Sequence, residues 1–184
     1  MNDITAEEAE RVYREADELC SPLEVNRTLD AMAADISRAL SGADPIVISV
    51  MTGGLVFAGR LLPRLLFPLQ LDYLHATRYR GGTRGGDLHW ITRPTLPLAG
   101  RTLLVVDDIL DEGYTLQAIL EYCRAEGAKH VMSAVLVRKL HDRCADVQAD
   151  FVGLEVEDRY VFGCGMDYHG YHRNLPGIYA VKGS

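Results

Sequence analysis

Leu103-Leu104-Val105-Val106-Asp107-Asp108-Ile109-Leu110-Asp111-Glu112-Gly113-Tyr114-Thr115-Leu116 is the stretch that decides how this chain folds. It opens as a continuous apolar, β-branched run, the pattern of a strand buried on both faces. Two carboxylates stand where the run ends, a third follows, and Gly113 turns the chain into a helical pattern that continues to Glu126. In an open α/β sheet, ligands gather outside the carboxyl ends of the strands. A helix starting there offers N–H groups and the positive end of its dipole to an anion. Gly113 would let the backbone close on a phosphate, and the Thr115 hydroxyl would donate to it. Three carboxylates at one strand end repel each other, so a purely structural role does not account for them.

Working outward, strands and helices alternate. Pro45-Ile46-Val47-Ile48-Ser49-Val50 reads as another buried strand. Gly53-Gly54 turns it into a helix from about Leu55 to Leu66. Strands are expected at Leu69 to His75, Leu88 to Thr92, Thr102 to Val106, Val131 to Val137 and Phe151 to Glu155. This alternation predicts an α/β fold with a central, mostly parallel sheet flanked by helices. Before it, Thr5 and Glu8 form a capping box that predicts a helix to about Cys20. Ser21 and Pro22 then start a second helix with the apolar stripe Val25, Leu29, Met32, Ile36 and Leu40, closed by Gly42. The stretch Glu157 to Lys182 breaks the alternation and is expected to cap the sheet. The chain therefore divides into N-terminal helices over 1–42, the sheet, and a C-terminal segment over 157–182, all within one domain of 184 residues.

Hydrophobic residues make up 48% of the chain and charged residues 24%, enough apolar material for a core without a metal or disulfide staple. The net charge of -7 argues against a dedicated nucleic-acid binder. Cys20, Cys123, Cys144 and Cys164 form no CxxC pair, which reads as reduced thiols rather than a zinc ribbon. The acidic, polar start is unlike a secretory signal. The apolar stretch Leu61 to Leu74 is broken by Pro63, Arg64, Pro68 and Asp72, so no membrane span is expected. A cytoplasmic location is the expectation.

The 103–116 segment is not a Walker loop, which needs GxxxxGK[ST], nor a dinucleotide fingerprint, which needs glycines it lacks. Paired aspartates after a strand also occur in phospho-acceptor and phosphatase folds, but those do not require the Asp-x-Gly-x-Thr continuation. The segment resembles the phosphoribosyl pyrophosphate (PRPP) loop of type I phosphoribosyltransferases, and the resemblance runs from about Pro45 to the C-terminus. It implies that Asp107 and Asp108 hold the ribose hydroxyls, partly through Mg2+, and that Glu112, Gly113, Tyr114 and Thr115 cradle the 5'-phosphate.

Further features resemble the hypoxanthine-guanine branch of that family. Asp111 matches its general base, with a helix N-cap as the plainer reading. Lys139 matches the lysine that donates to the purine 6-oxo group, and Arg138 is the neighbouring alternative. Tyr160 would stack on the base, Val161 would meet its edge through the backbone, and Asp167 would lie beside it and near a metal shell. Arg173 would reach pyrophosphate. Met51-Thr52-Gly53-Gly54 resembles the pyrophosphate-binding turn, with Thr52 and Gly53 as its contacts and a cis bond expected at Met51–Thr52. Arg78 and Tyr79, followed by Gly81, Gly82, Gly85 and Gly86, resemble the mobile loop that closes over the reaction. The resemblance also suggests a PRPP-binding role for Arg143.

There are departures. Arg78 stands where a serine is usual, and Glu112 and Tyr114 replace small or polar residues, so the Glu112 side chain must point away from the phosphate. His169 and His172 read as surface groups. The activity implied is transfer of phosphoribosyl from PRPP to N9 of hypoxanthine or guanine, giving IMP or GMP and pyrophosphate. Mg2+ is the cofactor implied, without nucleic acid or membrane, in a dimer or tetramer. The alternatives are a PRPP-sensing, nucleic-acid-binding regulator of the same fold, or an enzyme for xanthine or another base.

Overall fold

The computed structural model describes residues 4–78, 88–141, 143 and 145–184. Six strands form the main sheet: β2 (Ile46–Met51), β3 (Gln70–Arg78), β4 (Leu88–Thr92), β5 (Thr102–Leu110), β6 (His130–Leu140) and β7 (Phe151–Glu157). Their order is β4-β3-β2-β5-β6-β7. Every neighbour pair is parallel except β3–β4 at one edge. The helices are α1 (Ala6–Glu15), α2 (Pro22–Leu40), α3 (Gly54–Leu61) and α4 (Tyr114–Ala125). Strand β2 is followed by β3 on one side, and the chain returns to lay β5 on the other. The carboxyl ends of β2 and β5 therefore flank the topological switch point, where open α/β sheets bind ligands.

Both faces of the sheet are covered at β2 and β5, which explains the unbroken apolar runs of these two strands. Val47, Leu104, Val106, Ala134 and Leu136 pack with α2 and α3 in one core cluster. Ile46, Ile48, Val50, Leu103, Val105 and Val135 point the other way and pack with Leu116, Ile119, Leu120 and Cys123 of α4. The α2 stripe Val25, Leu29, Met32, Ile36 and Leu40 is buried as expected. Its start carries the full Ser21–Glu24 capping box with Pro22 in the first turn.

Three expectations need correction. The first helix does not reach Cys20 but stops at Glu15. Asp17–Cys20 is a strand, β1, paired antiparallel with β9 (Ile178–Ala180), and β9 also pairs with β8 (Val161–Phe162). Long-range backbone pairing overrides the local helical pattern there, helped by Arg159 bonding Asp17 at 2.6 Å and Tyr13 packing edge-on against Tyr179 at 5.1 Å. The helix after β2 ends at Leu61, five residues early, in a 3-10 turn over Leu62–Arg64 that contains Pro63. His172 is not a surface group: its Nε2 bonds the Ala9 carbonyl at 2.7 Å and its ring lies against Phe162, at 5.4 Å.

Candidate active site

The ends of β2 and β5 meet without room for a side chain between them. A Cβ on Gly53 would lie 2.1 Å from the Asp108 carboxylate, and one on Gly54 would lie 2.7 Å from the Val106 carbonyl. The Met51–Thr52 bond between strand and turn is cis. The C-terminal segment closes on the same place, since a Cβ on Gly165 would strike the Gly53 carbonyl at 2.2 Å. Arg173 fastens this segment. It donates to the Gly165 carbonyl at 2.6 Å and to Asp167 at 2.6 Å, with Asp108 4.0 Å away. Residues more than a hundred positions apart thus converge on one spot.

Asp107 and Asp108 stand side by side there, with the Asp108 amide donating to Asp107 at 3.0 Å. Burial, reinforced by the Asp108 charge, pushes the Asp107 carboxyl well above the usual carboxylate range. Burial also raises Asp108, with Asp107 and Arg173 opposing. Two desolvated carboxylates with one nearby guanidinium form an oxygen-only donor set short of positive charge, which suits a hard divalent cation. A carboxyl raised in the native state binds a proton more tightly there than in the unfolded chain. Its ionisation therefore costs stability as pH rises through that window, and the cost persists at neutral pH. Asp107→Asn is expected to raise Tm at neutral pH in divalent-free buffer by about 2–4 °C, the shift of ~1 kcal/mol in a domain of this size. The gain should shrink in acid. A lower Tm at neutral pH would contradict this account.

Beyond Leu110 the chain turns at Gly113, whose φ of 83° is left-handed and whose absent Cβ would meet Val147 at 2.6 Å. Gly113 is the N-cap of α4, so Asp111 is not, and the plainer reading of that carboxylate falls away. The first turn of a helix has no intrahelical acceptor for its N–H groups, and here it begins at Tyr114 with Thr115 beside it. Glu112 is exposed to solvent.

A cleft of about 620 Å³ opens between this turn and the end of β6, lined by Asp111, Gly113, Lys139, His141 and Val147 among others. Lys139 Nζ lies 3.2 Å from Asp111 Oδ2 and 3.8 Å from Asp158 Oδ1. His141 Nε2 lies 2.8 Å from Asp111 Oδ1. Burial works to raise the Asp111 carboxyl, but the His141 hydrogen bond and the Lys139 ammonium outweigh it and hold the group below its ordinary value. Asp111, His141 and Asp158 bring ligand atoms within 4.8 Å of one another. The Lys139 ammonium already supplies these carboxylates with the positive charge that a metal would bring. Arg138 instead turns to Glu155 on β7.

The model of the phosphoribosyl transferase domain matches residues 16–169. The chain belongs to the phosphoribosyltransferase family. Among relatives of this family, the hypoxanthine-guanine phosphoribosyltransferase of Bacillus subtilis is 33% identical over 165 residues, covering 89% of this chain and 92% of its own. That of Aquifex aeolicus is 29% identical, covering 99% of each chain. The crystal structure of a Staphylococcus aureus hypoxanthine phosphoribosyltransferase superposes with a TM-score of 0.88 at 25% identity, covering 99% of this chain and 96% of that one.

In this phosphoribosyltransferase, the residues singled out in the sequence fall into groups. Thr52, Gly53, Asp107, Asp108, Asp167 and Arg173 belong to the convergence at the switch point. Asp111, Glu112, Gly113 and Lys139 line the cleft. Tyr114 and Thr115 begin α4. Tyr160 is 43% exposed, with its ring parallel to that of His169 at 6.3 Å, and Val161 is buried in β8. Arg78 ends β3, whereas Tyr79 and the glycines after it lie outside the described residues. Sequence reading missed His141. The available signal was the period of two along an extended chain, which puts residue 141 on the same side as Lys139. The pairing of Asp158 with Lys139 and Arg143 is a tertiary contact.

Proposed function

We propose that this phosphoribosyltransferase joins hypoxanthine or guanine to PRPP, forming IMP or GMP and releasing pyrophosphate. The observation that carries the reading is the Asp111–Lys139 pair at 3.2 Å, a proton acceptor and a donor side by side in the cleft. The named relatives support the same substrates. The bond from ribose C1 to pyrophosphate breaks as the bond from C1 to purine N9 forms, with positive charge developing on the sugar. Asp111 takes the N7 proton. Lys139 carries three N–H donors, so it donates to the 6-oxo group while keeping its contact with Asp111.

The first turn of α4, with Gly113, Tyr114, Thr115 and the backbone of Glu112, would receive the 5'-phosphate. Thr52, Gly53 and Arg173 would receive pyrophosphate, with Arg78 and Tyr79 closing over the reactants. Tyr160 would cover the base, with Val161 and Asp167 at its edge, so that 157–182 acts as the purine hood of a single domain. Asp107, Asp108 and Asp167 would hold Mg2+, which when bound neutralises charge on the departing pyrophosphate.

Exposed Leu71, Tyr73 and Ile91 on β3 and β4 favour a homo-oligomer, dimer or tetramer. The free thiols of Cys20, Cys123 and Cys164 fit the reducing cytoplasm. Among the described residues no helix is long and apolar enough to cross a membrane.

The deciding experiment is a panel of hypoxanthine, guanine, xanthine, adenine and orotate with PRPP and Mg2+, repeated in excess chelator. Turnover with the first two bases, lost on chelation, is the expected result. Full turnover after metal stripping would refute the Mg2+ assignment, and preference for adenine or orotate would refute the substrate. Salt-dependent RNA binding without turnover would favour a regulator instead.

A further inference from the structure

His141 plays no part in the scheme above, yet its side chain is 6% exposed while that of Asp111, which it touches, is 47% exposed. Both of its ring nitrogens are engaged. The backbone N–H of Arg143 donates to Nδ1 at 3.2 Å, which requires Nδ1 to be the unprotonated nitrogen. The neutral ring then carries its proton on Nε2, and Nε2–H donates to Asp111 Oδ1 at 2.8 Å. The network closes on itself. The Arg143 guanidinium pairs with Asp158, Asp158 faces Lys139, and Lys139 faces Asp111. Asp111 is thus gripped on one oxygen by a neutral donor from behind and approached on the other by an ammonium from the cleft.

We propose that His141 is a positioning residue for Asp111: its Nε2–H holds Oδ1 and leaves Oδ2 as the atom that accepts the purine N7 proton. This rests on the reading of Asp111 as the general base. In the step itself the N7–H bond breaks, an O–H bond forms at Oδ2, and Oδ1 keeps its hydrogen bond. The imidazole holds its own proton throughout, because a second proton at Nδ1 would cost the bond from Arg143. A donor that stays in place on both sides of the transfer fixes the carboxyl plane, so the reacting oxygen needs no reorientation. It also favours the ionised carboxylate, adding to Lys139. Among the described residues, the charged groups around Asp111 are Lys139 from β6, Asp158 after β7 with its partner Arg143, and Glu112 beside it in the turn. Of the groups bonded to the Asp111 carboxylate, His141 is the neutral one, so its removal alters hydrogen bonding without changing net charge.

The test compares His141→Leu with His141→Gln in single-turnover assays with hypoxanthine, PRPP and Mg2+ across pH. The leucine variant should react about 10-fold more slowly, the scale expected for one lost hydrogen bond to a charged group. KM for PRPP should stay unchanged, and the acid limb of the rate profile should move to higher pH as Asp111 becomes easier to protonate. The glutamine variant, whose amide N–H replaces Nε2–H, should recover most of the rate and the original limb. A leucine variant with wild-type rate and profile overturns the proposal. So do leucine and glutamine variants equally slow with an unmoved limb, the mark of a merely structural role. Asp111→Asn runs alongside: if that variant keeps the wild-type rate, the general-base reading itself fails, whatever the His141 variants do.

Discussion

Asp111→Asn is expected to lower the rate of phosphoribosyl transfer by about 10²–10⁴-fold, the range for loss of a general base. The physical case rests on what surrounds the carboxylate. Lys139 at 3.2 Å and His141 at 2.8 Å hold it ionised against the opposing effect of burial. An amide keeps the shape but puts an NH2 donor where one carboxylate oxygen stood, so it accepts only one of these two hydrogen bonds, and it has no basic site for the N7 proton. PRPP affinity should change much less, because Asp107, Asp108 and the start of α4 are untouched. Single-turnover rates are the measurement, since slow product release hides a slower chemical step under steady-state conditions. Wild-type rates in that assay would remove Asp111 from the mechanism.

Lys139→Ala should abolish the preference for 6-oxopurines. The ammonium is a donor only and suits the carbonyl of hypoxanthine or guanine, whereas adenine turns an amino donor toward it. A site built around such a donor rejects the mismatched base by about 10⁴-fold or more. The alanine variant should therefore lose kcat/KM for hypoxanthine and guanine far more than for any residual adenine reaction. It also leaves Asp111 and Asp158 facing each other without the cation between them, so the Asp111 carboxyl should rise. Arg138→Ala is the control, because Arg138 turns away to Glu155 on β7. If Arg138→Ala selectively destroys hypoxanthine use while Lys139→Ala changes nothing, the donor is the other residue.

Much of this molecule is legible along the chain because its signals are local or periodic. Val47, Leu104 and their neighbours announce strands buried on two faces. Ser21, Pro22 and Glu24 announce the start of α2, and Gly113 announces the turn into α4. Most of what escaped is set by distant backbone partners. The segment Asp17–Cys20 continues an acidic, helix-like pattern and becomes a strand because β9, some 160 residues later, offers it backbone partners. Helix α3 stops early where Pro63 tightens the turn, and β3 runs on to Arg78 because β4 pairs with it.

The same division runs through the site. Sequence alone determined the α/β class, the carboxylates at the end of β5 and the position of Asp111 just beyond them, since residue type and spacing along one strand–turn–helix unit carry them. Tertiary structure decided which of Arg138 and Lys139 faces Asp111, that Arg173 joins Asp108 to Asp167, and that His141 grips the carboxylate from behind. Those contacts join the ends of β5 and β6 to each other and to the C-terminal segment. Spacing along the chain says nothing about them until the sheet twists and the C-terminal segment folds back to close Gly165 onto Gly53.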